Sequence, residues 1–312
     1  MAEQGTVIKS SGSVYGVRAV DGAFVECRVK GNFRLKGIRS TNPVAVGDHV
    51  HFDVRDDGTA YITEILERKN YIVRKASNLS KQSHILAANL DLCFLIVTIS
   101  HPTTATTFID RFLAAAEAYR VPVVLVFNKT DLYSDCEREE LDYLTALYET
   151  IGYRCLHTSA TDGRGIEALK ETMRGKVSLL AGNSGVGKSS LVNAISPDIA
   201  ARVGEISKTH DTGMHTTTYT EMFEIMPGSY IVDTPGVKGF GTFDMETEEI
   251  SHYFVEFFEL SKDCRYGNCT HTHEPGCAVL EALERGEIAP SRYQSYLSML
   301  EDKDEGKYRT SV

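Results

Sequence analysis

The sequence predicts a multidomain chain in three parts: an N-terminal β-barrel, a central α/β domain around a phosphate loop, and a C-terminal, mainly helical segment that binds zinc. Three observations predict it. Residues 1–75 break into short alternating runs separated by turn signals. Residues 76–240 alternate continuous apolar runs with helix-periodic ones, and Gly182–Ser189 reads Gly-x4-Gly-Lys-Ser at the end of one such run. Residues 241–312 crowd Cys264, Cys269, His271 and Cys277 together.

The bulk numbers allow this division. A chain of 312 residues usually makes two or three domains, and 42% hydrophobic content can fill their cores. No apolar run reaches membrane-spanning length, and Met1–Ser13 is too polar for a secretory signal, so a cytoplasmic protein without membrane contact is expected. Seven cysteines are too few for a disulfide scaffold, and three of them crowded together in a reducing cytosol point to metal. Cys93 and Cys155 fall in apolar runs and read as buried thiols. The net charge of -10 argues against a simple nucleic-acid coat, yet Lys and Arg exceed Asp and Glu by three over residues 1–75, while residues 241–312 carry an acidic excess of eight.

In the first part, runs 14–20, 23–29, 49–54 and 60–66 read as strands, with turns at Asp21-Gly22, Gly31-Asn32, Gly47-Asp48 and Asp57-Gly58. Several short strands in so short a stretch suggest a small barrel, an OB-fold, with an SH3-like barrel as the structural alternative. In the second part, 92–99 reads as a strand buried on both faces, 108–119 as a helix, 121–127 as a strand, 138–151 as a helix, 153–157 as a strand, 165–173 as a helix and 177–181 as the strand entering the phosphate loop. Such a pattern makes a parallel sheet with ligand loops at the carboxyl ends of its strands. In the third part, 246–260, 278–285 and 292–300 read as helices, and the last ten residues, being charged, read as frayed.

The motifs specify the ligand. In Gly182, Asn183, Ser184, Gly185, Val186, Gly187, Lys188 and Ser189 the glycines let backbone N–H groups wrap phosphate oxygens, Lys188 reaches the outer phosphates and Ser189 binds Mg²⁺. Asn128-Lys129-Thr130-Asp131 supplies the base choice. The Asp131 carboxylate can accept from both the ring N–H and the exocyclic amine of guanine, a donor pair that adenine lacks. Ser159-Ala160, after a strand, reads as a backbone contact to the base. Asp233 follows a strand at 230–232 and would hold Mg²⁺ through water, with the Gly236 N–H meeting the γ-phosphate. Between them, Met214-His215-Thr216-Thr217-Thr218 occupies the place of a switch loop, with Thr217 favoured over its neighbours as the Mg²⁺ and γ-phosphate ligand. Residue 237 is valine where many GTPases carry a water-orienting glutamine, so intrinsic hydrolysis should be slow; His215, then His210, is the local candidate to position the water. The order of these motifs is unusual. The base-reading pair precedes the phosphate loop, so the GTPase domain reads as circularly permuted.

In the metal cluster, three thiolates and one imidazole suit tetrahedral Zn²⁺ with no open position, hence a structural site. By spacing, His273 can replace His271.

The permuted order, the phosphate loop continued by Ser190, the His215–Thr218 switch, Asp233-Thr234-Pro235-Gly236 and the Cys/Cys/His/Cys spacing together resemble the RsgA (YjeQ/YloQ) family of bacterial ribosome-associated GTPases. Ala87–Asp91 and Ile109–Leu113 resemble it too, and the resemblance covers nearly the whole chain. It implies a monomeric assembly factor for the small ribosomal subunit, binding its rRNA, with weak GTPase activity stimulated by that subunit. It also implies zinc on Cys264, Cys269, His271 and Cys277, and GTP or GDP on Asn128–Asp131 and Gly182–Ser190. Gly185 stands where potassium-activated GTPases carry asparagine, so no obligatory K⁺ is expected.

Two basic runs suit rRNA. Arg28, Lys30, Arg34, Lys36 and Arg39, with Phe33 among them, contain no acid; Arg68, Lys69, Arg74, Lys75 and Lys81 form the second. The leading expectation is therefore GTP hydrolysis to GDP and phosphate as a release timer. The alternative is a nucleotide-switched binding module with incidental turnover. A small-molecule kinase is disfavoured by Asp131 and by the lack of an acceptor domain.

Overall fold

The computed structural model describes residues 3–29, 43–75, 83–199, 220–233 and 245–308. Thirteen strands are described. Eleven form one sheet in the order β10-β9-β8-β11-β13-β12-β1-β2-β3-β5-β4, and β1 also pairs with β4. That second pairing closes β1 (Glu3–Ser11), β2 (Val14–Ala19), β3 (Phe24–Val29), β4 (His49–Val54) and β5 (Ala60–Ile65) into a five-stranded barrel. The β3–β5 pairing is parallel, and the rest of the barrel is antiparallel. Its interior is filled by Val7, Tyr15, Val17, Cys27, Val50, Phe52 and Ile62. This is the expected OB-type barrel.

Four of its strands fall on the expected runs. The first, β1, does not. Its nine residues are mostly polar, yet its edges are paired by β2, β4 and β12, so backbone hydrogen bonding rather than side-chain burial defines it.

The central sheet is parallel along β10 (Arg154–Thr158), β9 (Val123–Asn128), β8 (Leu92–Val97), β11 (Val177–Ala181) and β13 (Ser229–Asp233), with β12 (Thr220–Met226) antiparallel at its end. Every residue of β9 is buried, and so is nearly all of β8, as all-apolar runs require in a sheet covered on both faces. α1 (Thr106–Ala118), α2 (Asp135–Ile151), α3 (Ile166–Met173) and α4 (Lys188–Ile195) supply the cover. A capping box opens α2, with Ser134 and Glu137 exchanging backbone and side-chain bonds, and Gly152 closes it in the left-handed region.

The barrel and the central sheet are continuous through β1 and β12. The seam is short, two residue pairs, and is reinforced by the Lys9–Glu221 and Arg18–Glu224 ion pairs. A second connection, β6 (Tyr71–Lys75) with β7 (Ser83–Ala88), forms a separate antiparallel ribbon.

One expectation about the basic runs is corrected. Arg68 does not face solvent. Its guanidinium makes two 2.6 Å bonds to the fully buried Asp48 carboxylate and one of 2.8 Å to the Pro43 carbonyl, leaving it 7% exposed. Lys69 is paired with Asp91. Both serve the junction between the barrel and the central domain. Arg28 is exposed; Lys30, Phe33, Arg34, Lys36, Arg39 and Lys81 lie outside the described residues, as do the side chains of Arg74 and Lys75. The exposed aromatic of the described barrel is Phe24.

Residues 245–308 fold back onto α1. A 3-10 turn (Thr247–Tyr253) and α5 (Val255–Ser261) replace the single helix expected at 246–260. After the cysteine cluster come α6 (Ala278–Glu284) and α7 (Pro290–Tyr308). The helix α7 continues to Tyr308, so the expected fraying of the last ten residues is corrected over 303–308. Phe254 and Phe257 pack tilted and both meet Tyr296 edge-to-face, with ring centroids 5.1–5.6 Å apart, and the three share one buried cluster with Phe112 and Leu113 of α1.

A buried charge network fixes this contact. Arg292 of α7 donates to Asp110 of α1 at 2.9 Å and to both oxygens of Glu256 at 2.7 and 2.9 Å, while Tyr148 and Ser295 donate to Asp110 at 2.9 and 2.5 Å. Burial pushes the Asp110 carboxyl above its ordinary value, against the pull of Arg292. Replacing Arg292 by Ala leaves both carboxylates without their cation and should cost about 3 kcal/mol in urea unfolding. Without the pull of Arg292 the Asp110 carboxyl rises further, and a raised folded-state value means stability that is present at low pH and lost as pH rises, so the variant loses more than the parent and its deficit should be larger at pH 8 than at pH 5. An equal deficit at both would show that Asp110 does not depend on Arg292.

Candidate functional site

The sheet direction gathers the motifs. β8, β9, β10, β11 and β13 are parallel, so Thr98, Asn128, Thr158, Gly182 and the Asp233 backbone emerge at one edge. Asn128 ties three motifs together there. Its Nδ2 donates to the Val186 carbonyl of the phosphate loop at 2.8 Å, and its Oδ1 accepts from the Thr158 hydroxyl at 2.9 Å. Thr130 donates to the Thr158 carbonyl at 3.3 Å. Residues 58 positions apart in sequence thus meet within a hydrogen bond.

The phosphate loop has the close approach that glycine permits. Gly187 adopts φ +98°, and a Cβ there would lie 2.4 Å from Asn128 Nδ2; a Cβ on Gly182 would lie 2.2 Å from the Ile96 carbonyl oxygen. Val186 is buried beneath the loop, while Ser184, Gly185, Ser189 and Ser190 face outward. Lys188 opens α4 and donates to the Gly182 and Asn183 carbonyls at 2.7 Å each. The wrapped backbone and lysine fit a polyphosphate, and Ser189 on the first turn of α4 fits a Mg²⁺ ligand. Asp131 lies half-buried in a 3-10 turn (Thr130–Leu132) that follows Lys129, itself left-handed at φ +64°. Ser159 is buried, and its hydroxyl accepts from the Thr161 and Asp162 N–H groups at 3.2 and 3.3 Å, so it shapes the loop that presents Ala160. His210, His215, Thr217, Gly236 and Val237 lie outside the described residues, as does the Asp233 side chain.

Two residues that support this edge carry no motif. The Tyr133 hydroxyl donates to the Asn128 carbonyl at 2.5 Å and accepts from the Ile99 N–H at 3.0 Å. Pro102 packs over Gly185, 3.4 Å from where a Cβ would sit. Neither could be found from spacing, since both act through backbone atoms of remote segments.

The cysteine cluster lies among the C-terminal helices, between α5 and α6. The ligand atoms of Cys264, Cys269, His271 and Cys277 lie within 4.8 Å of one another. Zinc bonds of about 2.3 Å to sulfur and about 2.05 Å to nitrogen place tetrahedral neighbours about 3.6–3.8 Å apart. The structure has 4.0 Å between the Cys264 and Cys277 sulfurs, 3.6 Å from Cys264 to His271 Nδ1, and 3.3 Å from Nδ1 to Cys277. The donor set fits zinc. His273 turns away, its Nδ1 2.8 Å from the Thr272 hydroxyl, so the structure brings His271 to the cluster.

The shell around these four residues is ordered by hydrogen bonds. His271 is left-handed at φ +56°, and its carbonyl accepts from the Tyr293 hydroxyl at 2.9 Å. The Tyr296 hydroxyl donates to the Thr270 carbonyl at 2.7 Å. Glu274 accepts from the Thr270, Thr272 and His273 N–H groups at 2.7, 3.1 and 3.2 Å, gathering the turn that presents His271. Burial holds His271 below its ordinary value, which keeps the imidazole neutral, the form that binds metal.

A family model described as "RsgA GTPase" matches residues 65–243, and one described as "RsgA N-terminal domain" matches residues 4–62. The chain is 63% identical over 308 residues to "Small ribosomal subunit biogenesis GTPase RsgA 2" of Bacteroides thetaiotaomicron, covering 99% of each chain. It is 60% identical over 310 residues to the Porphyromonas gingivalis protein with the name "Small ribosomal subunit biogenesis GTPase RsgA", covering 98% of each. Among solved structures it is similar to YjeQ from Thermotoga maritima, with a TM-score of 0.79 at 36% identity, covering 97% of this chain and 98% of that one. It is also similar to YloQ, described as a circularly permuted GTPase, with a TM-score of 0.76 at 28% identity, covering 98% and 96%.

Proposed function

The chain belongs to the RsgA GTPase family, a GTP hydrolase acting in small-ribosomal-subunit biogenesis, and from this premise we propose how its residues divide the work. Asn128–Asp131, Ser159-Ala160 and Gly182–Ser190 bind one GTP across the carboxyl edge of the sheet. Asp131 reads the guanine, and Lys188 and the loop N–H groups hold the β- and γ-phosphates. Ser189, Thr217 and Asp233 hold Mg²⁺, and Gly236 senses the γ-phosphate. When bound, Mg²⁺ neutralises charge that develops on the phosphate oxygens. His215 positions the attacking water. The observation that carries this reading is the Asn128 side chain, which bonds the phosphate loop and the Thr158 strand end together.

Residues 1–75, 76–240 and 241–312 act as barrel, GTPase and zinc segment. The barrel meets rRNA of the small subunit through Arg28, Phe24 and the basic run that follows. Zinc on Cys264, Cys269, His271 and Cys277 holds the C-terminal segment in shape and takes no part in hydrolysis. The protein works as a cytoplasmic monomer; no helix among the described residues is long and apolar enough to cross a membrane.

Hydrolysis acts as the release step. β12 starts directly after residues 200–219 and pairs with β1 of the barrel, so a change at the γ-phosphate has a short route to the barrel, covalent into β12 and hydrogen-bonded from there to β1. The test is GTP turnover measured alone, with purified small subunits, with large subunits and with whole ribosomes. Stimulation confined to small subunits is expected, with weaker retention of the GDP form; equal turnover under all conditions would remove the timer reading.

A further inference from the structure

No motif marks the loop between β8 and α1, yet it touches both the base-reading motif, through His101 and Lys129, and the phosphate loop, through Pro102 and Gly185. Its backbone is held by Thr98 and Thr104: Thr98 N–H donates to the Thr104 hydroxyl at 3.1 Å, Thr104 N–H donates to the Thr98 carbonyl at 2.9 Å, and the Thr98 hydroxyl donates to the Pro102 carbonyl at 2.5 Å. At its tip His101 adopts φ +60°, a conformation that favours glycine or asparagine. The His101 carbonyl accepts from Lys129 Nζ at 2.5 Å. The Lys129 stem in turn lies against the phosphate loop, with Cε 3.7 Å from the position of a Cβ on Gly187.

The imidazole is held as well. His101 Nδ1 lies 2.8 Å from the Ser100 hydroxyl, and Ser100 also hydrogen-bonds the Glu137 carboxylate. Ser100 has one hydroxyl proton. It goes to the carboxylate, so the Ser100 oxygen accepts from His101 Nδ1–H. Glu137 is fixed in its turn by the Ser134 N–H and hydroxyl, each at 2.7 Å, at the start of α2. The chain Glu137–Ser100–His101–Lys129 therefore runs from the cap of α2 back to the base-reading motif.

We propose that His101 is a positioning residue for nucleotide binding: Ser100 and Glu137 anchor its ring, its left-handed backbone aims the carbonyl at Lys129, and the clamped Lys129 stem forms a preset wall between the base pocket and the phosphate loop. This rests on the reading of Asn128–Asp131 and Gly182–Ser189 as the nucleotide site. The side chain that nucleotide meets is Lys129; His101 acts through it.

The test is a double-mutant cycle on GDP affinity in the full-length protein. His101→Val places a β-branched residue where φ is positive and should weaken GDP binding about tenfold, the loss of one charge-assisted hydrogen bond. His101→Asn tolerates that backbone and should recover most of this loss. In a Lys129→Met background, which keeps the stem and removes the ammonium, His101→Val should add less than about a twofold effect. Additive losses, or no recovery with asparagine in variants that melt like the parent, would overturn the proposal. If the parent itself binds no GDP, the fault lies in the nucleotide-site reading instead.

Discussion

Replacing Asp131 by Asn is expected to weaken GTP binding by about a thousandfold and to let xanthosine triphosphate bind in its place. The chemistry is that of donors and acceptors. Guanine presents its ring N–H and exocyclic amine side by side, and a carboxylate accepts from both. Asparagine keeps one acceptor and turns the other into a donor, which then opposes the guanine amine. Xanthine carries a carbonyl where guanine carries the amine, so the asparagine amide pairs with it. The half-buried position of Asp131 enlarges the penalty, because a group left unpaired there is only partly hydrated. Fold should be unaffected: the bonds that assemble this edge are made by Asn128, Thr130, Tyr133 and Thr158. Affinities for both nucleotides, measured by direct titration of parent and variant, decide it. A variant that still prefers GTP places guanine recognition elsewhere, and the assignment of the cleft fails with it.

Most of this site could be read from the sequence because its chemistry is local. A phosphate loop needs glycines at set spacing, and Asn128 and Asp131 sit three apart on one turn. The permuted order followed from position alone, and the all-apolar runs of β8 and β9 announced a sheet covered on both faces. What the sequence concealed was non-local. β1 is polar because three neighbouring strands define it. Arg68 looked like part of a basic surface because its partner Asp48 lies 20 residues away and is seen only when the barrel closes. His101 and Tyr133 work through backbone carbonyls and N–H groups, which no residue pattern records. Glu274 sits inside the metal loop without being a ligand, and its importance lies in the three N–H groups that converge on it. Arg292 and Asp110, 182 positions apart, carry the docking of the last helices.

That docking sets the limits of what zinc does, and the second large effect follows. Between α5 and α6 the described chain buries little except His271 and Cys277, whereas the helices on either side bury Phe257, Val279, Ala282 and Tyr296 in the cluster they share with α1. The loop 262–277 therefore has almost no core of its own, and a bound metal must supply most of what holds it. Structural zinc contributes about 10 kcal/mol or more to such small segments. Purified protein should contain one zinc per chain. Stripping it with a chelator, or replacing Cys277 by Ser, should abolish hydrogen-exchange protection across 262–277 and loosen α6, whose N-cap is Cys277. Protection in β8, β9 and β11 should persist, and GDP affinity should stay within about twofold, because among the described residues no hydrogen bond joins the cluster to the nucleotide loops. Stimulation by small subunits should fall sharply, since the loop surface would no longer be presented in one shape. A metal-free protein that keeps its exchange protection at 262–277 would mean that Glu274, Tyr293 and Tyr296 hold the loop unaided, and the cluster would then have to be assigned a role other than structural support.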